Sequence, residues 1–290
     1  MDDAKKDLIW VFVFLIILAI VWYYTGGPSR PSSISGPFLN QPREQYSERL
    51  RKTTEEVVSG TTAPAGTPAS FPESSYKYKA ILYAGYGARQ SDPQKEYVEI
   101  RASSQNDKPL RITGWTLVGK NGLDIKIGQG AYLAYSAQVN PQEDIFLKPG
   151  ERAIVVAGES PIGTNFRLNK CTGYFEQFQD FEPSLPKDCP EPEDENLPSN
   201  LNDQCLDYLE RLPRCEMLIS IPPGLSIACQ NYINDKINYK TCVEVHKDDA
   251  DFYKSEWRVY LGRKEQLWKK ERETIILEDE NGRIIDWKSY

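Results

Sequence analysis

The chain has 290 residues, 42 of them acidic and 35 basic, for a formal net charge of -7. That length is enough for one or two domains with a sizeable core, and that charge gives no general attraction to nucleic acid or to an anionic membrane surface. The single histidine, His246, excludes a multi-histidine metal site and confines histidine acid–base chemistry to one position.

Leu8 to Tyr24, LIWVFVFLIILAIVWYY, carries no charged residue. As a helix it spans about 26 Å, enough for a bilayer core with local thinning. Trp10, Trp22, Tyr23 and Tyr24 sit near its ends, where amphipathic rings favour the interface. A cleaved signal peptide needs small residues at the cut, and this run ends in aromatics. An uncleaved transmembrane helix over residues 8–24 is therefore expected. Lys5 and Lys6 precede it and the next basic residue is Arg30, which puts residues 1–7 in the cytoplasm and the rest outside. The expected localisation is a single-pass cell-membrane protein with an extracytoplasmic C-terminal domain.

Residues 25–75 read as a flexible spacer rich in Pro, Ser, Thr and Gly. Within it, residues 43–58 space Tyr46 and Leu50 as a solvated helix would. As a coil such a stalk extends roughly 40 Å, which presents the next domain at a distance from the bilayer.

Residues 76–290 form the globular part. Tyr78, Ala80 and Leu82 alternate as a first strand. Glu96 to Ile127 supplies three more: Val98, Ile100 and Ala102 alternate with Tyr97, Glu99 and Arg101, Leu110 and Ile112 resume the period, and Trp115 and Leu117 continue it. Asn121-Gly122 marks a tight type I′ hairpin. Ile145 to Glu151 is a strand end followed by a type II Pro149-Gly150 turn, and Ala153 to Ala157 is an apolar run buried on both faces. Trp257, Val259 and Leu261 alternate, and Asn281-Gly282 joins a closing hairpin of Thr274–Leu277 and Arg283–Trp287. Eight or nine strands without alternating helices predict an all-β fold, an antiparallel β-sandwich.

EYVEI at Glu96 to Ile100, GWTL at Gly114 to Leu117, LKPGE at Leu147 to Glu151 and RETIILEDENGRIIDW at Arg272 to Trp287 together resemble the lamin-tail domain. The resemblance covers roughly residues 76–170 and 256–290, and is greatest to the bacterial members carried on membrane-anchored or secreted proteins. It implies an immunoglobulin-like sandwich used for binding, tethering or envelope association. It carries over no catalytic residue. The cysteine-rich segment between the two covered parts departs from the family's minimal pattern.

That segment, about residues 171–255, holds all six cysteines: Cys171, Cys189, Cys205, Cys215, Cys229 and Cys242. An even number in one loop-rich, exported segment predicts a disulfide framework, and the absence of close Cys pairs argues against zinc. Leu201 to Leu212, with Asn202 or Asp203 as cap, and Ser226 to Ile237 read as helices. If they form an antiparallel hairpin, Cys215–Cys229 and Cys205–Cys242 nest, and Cys171–Cys189 closes the preceding loop. The segment reads either as a cap over one end of the sandwich or as a partner-binding surface.

Several motifs fail on inspection. Gly85-Tyr86-Gly87 begins like a dinucleotide loop, but Gln90 stands where a third glycine belongs. Residues 158–163, GESPIG, miss the nucleophile-elbow spacing by one and read as a turn. Glu191, Glu193, Asp194 and Glu195 lack EF-hand spacing and read as a solvated acidic loop. His246 reads as a surface residue in a loop. No catalytic, metal-binding or cofactor-binding residue is assigned. The expected function is a membrane-anchored binding or scaffolding module at the cell surface, with a protein or glycan ligand. The alternatives are a surface hydrolase using a carboxylate pair and a purely structural envelope protein.

Overall fold

The computed structural model describes residues 10, 14–21, 73–119 and 123–290. Residues 14–21 are helical and exposed, and no helix among the described residues is long and apolar enough to cross a membrane. The rest of the expected anchor at residues 8–24, the spacer up to residue 72 and the Asn121-Gly122 turn lie outside the described residues.

From residue 73 onward the structure is β-rich, with two principal sheets. The first contains β1 (Ala80–Tyr83), β2 (Tyr97–Ala102), β7 (Arg152–Val156), β9 (Tyr253–Tyr260) and β8 (Phe166–Asn169), in that spatial order. The second contains β11 (Ile284–Ser289), β10 (Thr274–Glu278), β4 (Thr116–Val118) and β5 (Asp124–Lys126). A short pair, β3 (Leu110–Arg111) with β6 (Phe146–Leu147), makes a third sheet.

The period-two reading of β2 holds: Val98, Ile100 and Ala102 are buried while Tyr97, Glu99 and Arg101 are half-buried. Strand β7 is buried on both faces over Ala153 to Val156, as its unbroken apolar run predicts. Register aligns Val98, Val155 and Val259 on the inner face, where they meet Leu117, Ile275 and Leu277 of the other sheet in one continuous core. Trp115, Trp257 and Trp268 are fully buried there. The buried Glu96 carboxylate accepts the backbone N–H groups of Leu267 and Trp268, each at 2.7 Å, and so fixes the chain that delivers Trp268 to the core.

The sheets are not wholly antiparallel. Strands β7 and β9 pair in parallel, Arg152 with Glu256 through Val156 with Tyr260. A parallel pair needs a long crossover, and here the intervening chain supplies β8 and the cysteine-rich segment. Among the described residues there are eleven strands, above the eight or nine expected, and β8 (Phe166–Asn169) is one that no alternation marked.

Turn chemistry follows the sequence closely at two places. Gly150 has φ +82°, and Glu151 N–H donates to the Lys148 carbonyl at 2.9 Å, as a Pro-Gly type II turn requires. In the closing hairpin, Gly282 has φ +72° and Asp279 N–H donates to the Arg283 carbonyl at 2.9 Å, giving a three-residue loop with glycine in the left-handed position. Flanking the undescribed Asn121-Gly122 turn, Gly119 N–H donates to the Leu123 carbonyl at 2.8 Å.

The outer face of the first sheet carries a row of ion pairs. Arg101 donates to Glu99 at 2.9 Å, Arg152 lies 3.7 Å from Glu99 and donates to Glu256 at 2.7 Å, and Arg258 donates to Glu256 at 2.7 Å. Arg258 also donates to the Pro183 and Ser184 carbonyls, so this row fastens the cysteine-rich segment to the sheet.

Candidate interaction surface

Between β8 and β9 the chain forms a 3-10 turn (Thr172–Gln177) and three helices: α1 (Asp203–Leu209), α2 (Ile227–Lys236) and α3 (Tyr239–His246). Their starts are written locally. The side chains of Asn202, Ser226 and Asn238 accept the N–H groups of Cys205, Cys229 and Thr241 at 3.1, 3.3 and 2.9 Å. Helix α3 was not expected from the sequence, although its Asn238 cap is the kind of signal that marks a helix start.

All six cysteines are paired, as predicted, but in other combinations: Cys171–Cys242, Cys189–Cys215 and Cys205–Cys229. The expected Cys171–Cys189, Cys205–Cys242 and Cys215–Cys229 are all corrected. The unexpected α3 explains the change, because it sets Cys242 beside Cys171 at the end of β8. Cys205 and Cys229 are each the residue whose N–H is capped in the first turn of α1 and α2, and their bond joins those two turns. The segment has two small cores. One packs Phe166 and Leu168 of β8 against Phe175, Tyr239 and Val243, with Cys171–Cys242 and Cys189–Cys215. The other gathers Leu209, Leu225, Tyr232 and Ile233 around Cys205–Cys229.

This stapled surface presents two features. Gln204 and Tyr208 of α1 and Arg211 just after it line a cleft of about 340 Å³ together with Pro222 and Leu225. On either side of Pro222–Leu225 in the chain, Ile219 is 85% exposed and Ile227 is 76% exposed. At the sheet end, a groove of about 430 Å³ is lined by Gln129, Gln142, Glu159, Ser160, Thr164 and Asn165. Gln142 Nε2 donates to Thr164 Oγ1 at 2.9 Å and Asn165 Nδ2 donates to the Gln129 carbonyl at 2.7 Å. The groove's amide donors are thus engaged, while its amide oxygens at Gln129 and Gln142 and its Glu159 carboxylate accept no hydrogen bond within the described residues.

The motifs set aside fall into structural roles. Residues 158–163 form a turn with Gly163 at φ +78°, and the Ser160 hydroxyl donates to the Thr164 carbonyl at 2.6 Å. Gly87 opens a 3-10 turn against the Tyr97 ring, where an added Cβ would come within 2.5 Å. Among the described residues no group of three His, Cys, Asp or Glu side chains is arranged to hold a metal ion.

The acidic loop is less solvated than its composition implies. Glu191 accepts from Arg214 Nε at 2.7 Å, an ion pair that holds its carboxyl below the usual range. Glu195 Oε1 lies 2.8 Å from His246 Nε2. His246 ends α3 rather than standing in a loop, and its Nδ1 lies 2.8 Å from Asp249 Oδ2. Lys170 Nζ binds Asp249 at 2.8 Å and Asp251 at 2.7 Å. No spacing in the sequence links Glu195 to His246, which are 51 positions apart.

Comparison of the chain with protein-family models, curated proteins and solved structures found no match to any of them.

Proposed function

We propose that this chain is a membrane-anchored, extracytoplasmic binding or scaffolding module. It presents a lamin-tail-like, immunoglobulin-like domain at the cell surface and takes a protein partner on the α1–α2 face. The observation carrying this reading is the exposure of Ile219, in the α1–α2 connection, and of Ile227, at the start of α2, on either side in the chain of the Pro222–Leu225 stretch that lines the Tyr208–Arg211 cleft, with α1 and α2 stapled by Cys205–Cys229. Large apolar side chains left in water on a rigid surface, with Tyr and Arg beside them, have the composition of interaction hot spots. A staple also lowers the ordering cost of binding. Three disulfides support an oxidising compartment. The apolar run at residues 8–24 supports the anchor.

The test compares the full chain with its Ile219→Asp/Ile227→Asp double variant, each used to capture partners from an envelope extract. A specific partner should be lost at least about tenfold, in line with a hot-spot cost of roughly 1.4 kcal/mol or more. Equal capture by both proteins removes the reading.

A second reading, glycan binding, is favoured by the groove at Gln129, Gln142 and Glu159, whose spare acceptors suit a hydroxyl-rich ligand. Loss of oligosaccharide binding in Gln142→Ala, with the Ile219 and Ile227 variant unaffected, would select it over the first.

A further inference from the structure

His246 has a carboxylate oxygen 2.8 Å from each ring nitrogen, Asp249 at Nδ1 and Glu195 at Nε2. An ionised carboxylate only accepts, and a neutral imidazole has only one N–H to give. Both contacts are hydrogen bonds only when the ring is the imidazolium. Removing the proton leaves a nitrogen lone pair facing one of the two carboxylates, and that contact becomes repulsive.

The network determines which carboxylate leaves. Asp249 is held a second time, by Lys170 Nζ at 2.8 Å, and its N–H donates to the His246 carbonyl at 2.9 Å. Glu195 makes no other hydrogen bond or ion pair within the described residues. Its segment is fixed at the near end by Cys189–Cys215 and by the Glu191–Arg214 pair, so the free portion begins after Glu191. That portion runs to Leu197, which packs at the edge of the α1–α2 core.

We infer that His246 is the bolt of a pH-gated latch: protonated, it clamps the Glu195 segment to the end of α3, and on losing its proton it keeps Asp249 and releases Glu195. The charged and titratable groups facing it come from each packed element. They are Asp249 and Asp251 after α3, Lys170 at the end of β8, and Glu195 from the acidic loop. Near Glu195 stand Tyr174 of the 3-10 turn and Tyr232 of α2. Burial, and then Glu195, pushes the Tyr174 hydroxyl up to about 12 and the Tyr232 hydroxyl above its usual value, so neither titrates with the latch. Burial disfavours the imidazolium, but Glu195 and Asp249 outweigh it and raise the histidine's proton affinity. The sign follows from that direction. The clamp is fully present below the ordinary histidine value of about 6.5 and is lost as pH rises through the raised value.

Because His246 is the only histidine, its imidazole signals in an NMR titration of the full chain need no assignment. The midpoint should lie above about 6.5 and fall in both Glu195→Gln and Asp249→Asn. Exchange of the Asp194 amide, which donates to the Glu191 carbonyl at 3.0 Å, corrected for the intrinsic pH dependence, should rise at least fivefold across that midpoint. In Glu195→Ala, which leaves the ring nothing to hold, the same amide should exchange rapidly at every pH, while α3 remains protected. A midpoint at or below the ordinary value, or exchange at Asp194 that does not change across the midpoint, overturns the latch. The latch does not depend on the α1–α2 face binding a partner, and its test includes no partner.

Discussion

Glu278 closes β10 at the register shift between Leu277 and Glu278, beside Asp124 and Asp279. Burial, and then those two carboxylates, pushes its carboxyl up to about 7. Folding therefore favours the protonated form. The associated stability is fully present below the unfolded value near 4.5 and is lost as pH rises through about 7. A shift of that size corresponds to about 3 kcal/mol, and partial solvent screening reduces it to about 1 kcal/mol. Glu278→Gln should leave stability unchanged near pH 4 and raise it by about 1 kcal/mol at pH 8 in urea unfolding. Equal effects at both pH values would show that the raised affinity has no energetic consequence. Nothing in the sequence marks Glu278 apart from other strand glutamates, because its environment comes from β5 and from the turn after β10.

The closing hairpin shows how much one element depends on a short motif. Asn281-Gly282 between apolar runs locates the turn, and Gly282 takes the left-handed conformation that Asn-Gly pairs favour. What holds the turn is Asp279. Its carboxylate accepts from Asn281 N–H at 2.9 Å, Arg283 N–H at 3.0 Å and the Ser74 hydroxyl at 2.6 Å. The first two contacts are local and follow from Asp beginning a turn. The third crosses 205 positions and follows from packing alone. Asp279→Ala should cost about 2–3 kcal/mol in urea unfolding, because it strands a buried hydroxyl as well as two turn donors. Asp279→Asn, which keeps one acceptor oxygen, should cost less. If both variants lose less than about 0.5 kcal/mol, the turn rests on Gly282 alone. Helices α1 and α2 repeat the lesson: their caps are readable at Asn202 and Ser226, whereas the Cys205–Cys229 bond depends on how the helices cross.

Across residues 73–290, the sheets and the cysteine-rich segment differ in what stabilises them. The sheets share one apolar core with three buried tryptophans, while the segment has two small clusters bridged by disulfides. Cross-linking loops of this size contributes about 3–4 kcal/mol per bond by chain entropy. Reduction should therefore raise amide exchange in α1, α2 and α3 while β2, β7 and β9 stay protected. Simultaneous loss of protection in both would mean that the ion-pair row through Arg258 couples them into one cooperative unit. The sequence alone determined the alternating strand β2, the buried run of β7, the Pro149-Gly150 and Asn281-Gly282 turns, the first two helices and the fact that all the cysteines pair. Each of these is set by a side-chain period or by backbone preferences within a few residues. Only the tertiary structure decided the parallel β7–β9 pair, the disulfide partners and the Glu195–His246–Asp249 cluster. These join positions tens of residues apart, and their pairing depends on how the elements cross, which local period and composition do not encode.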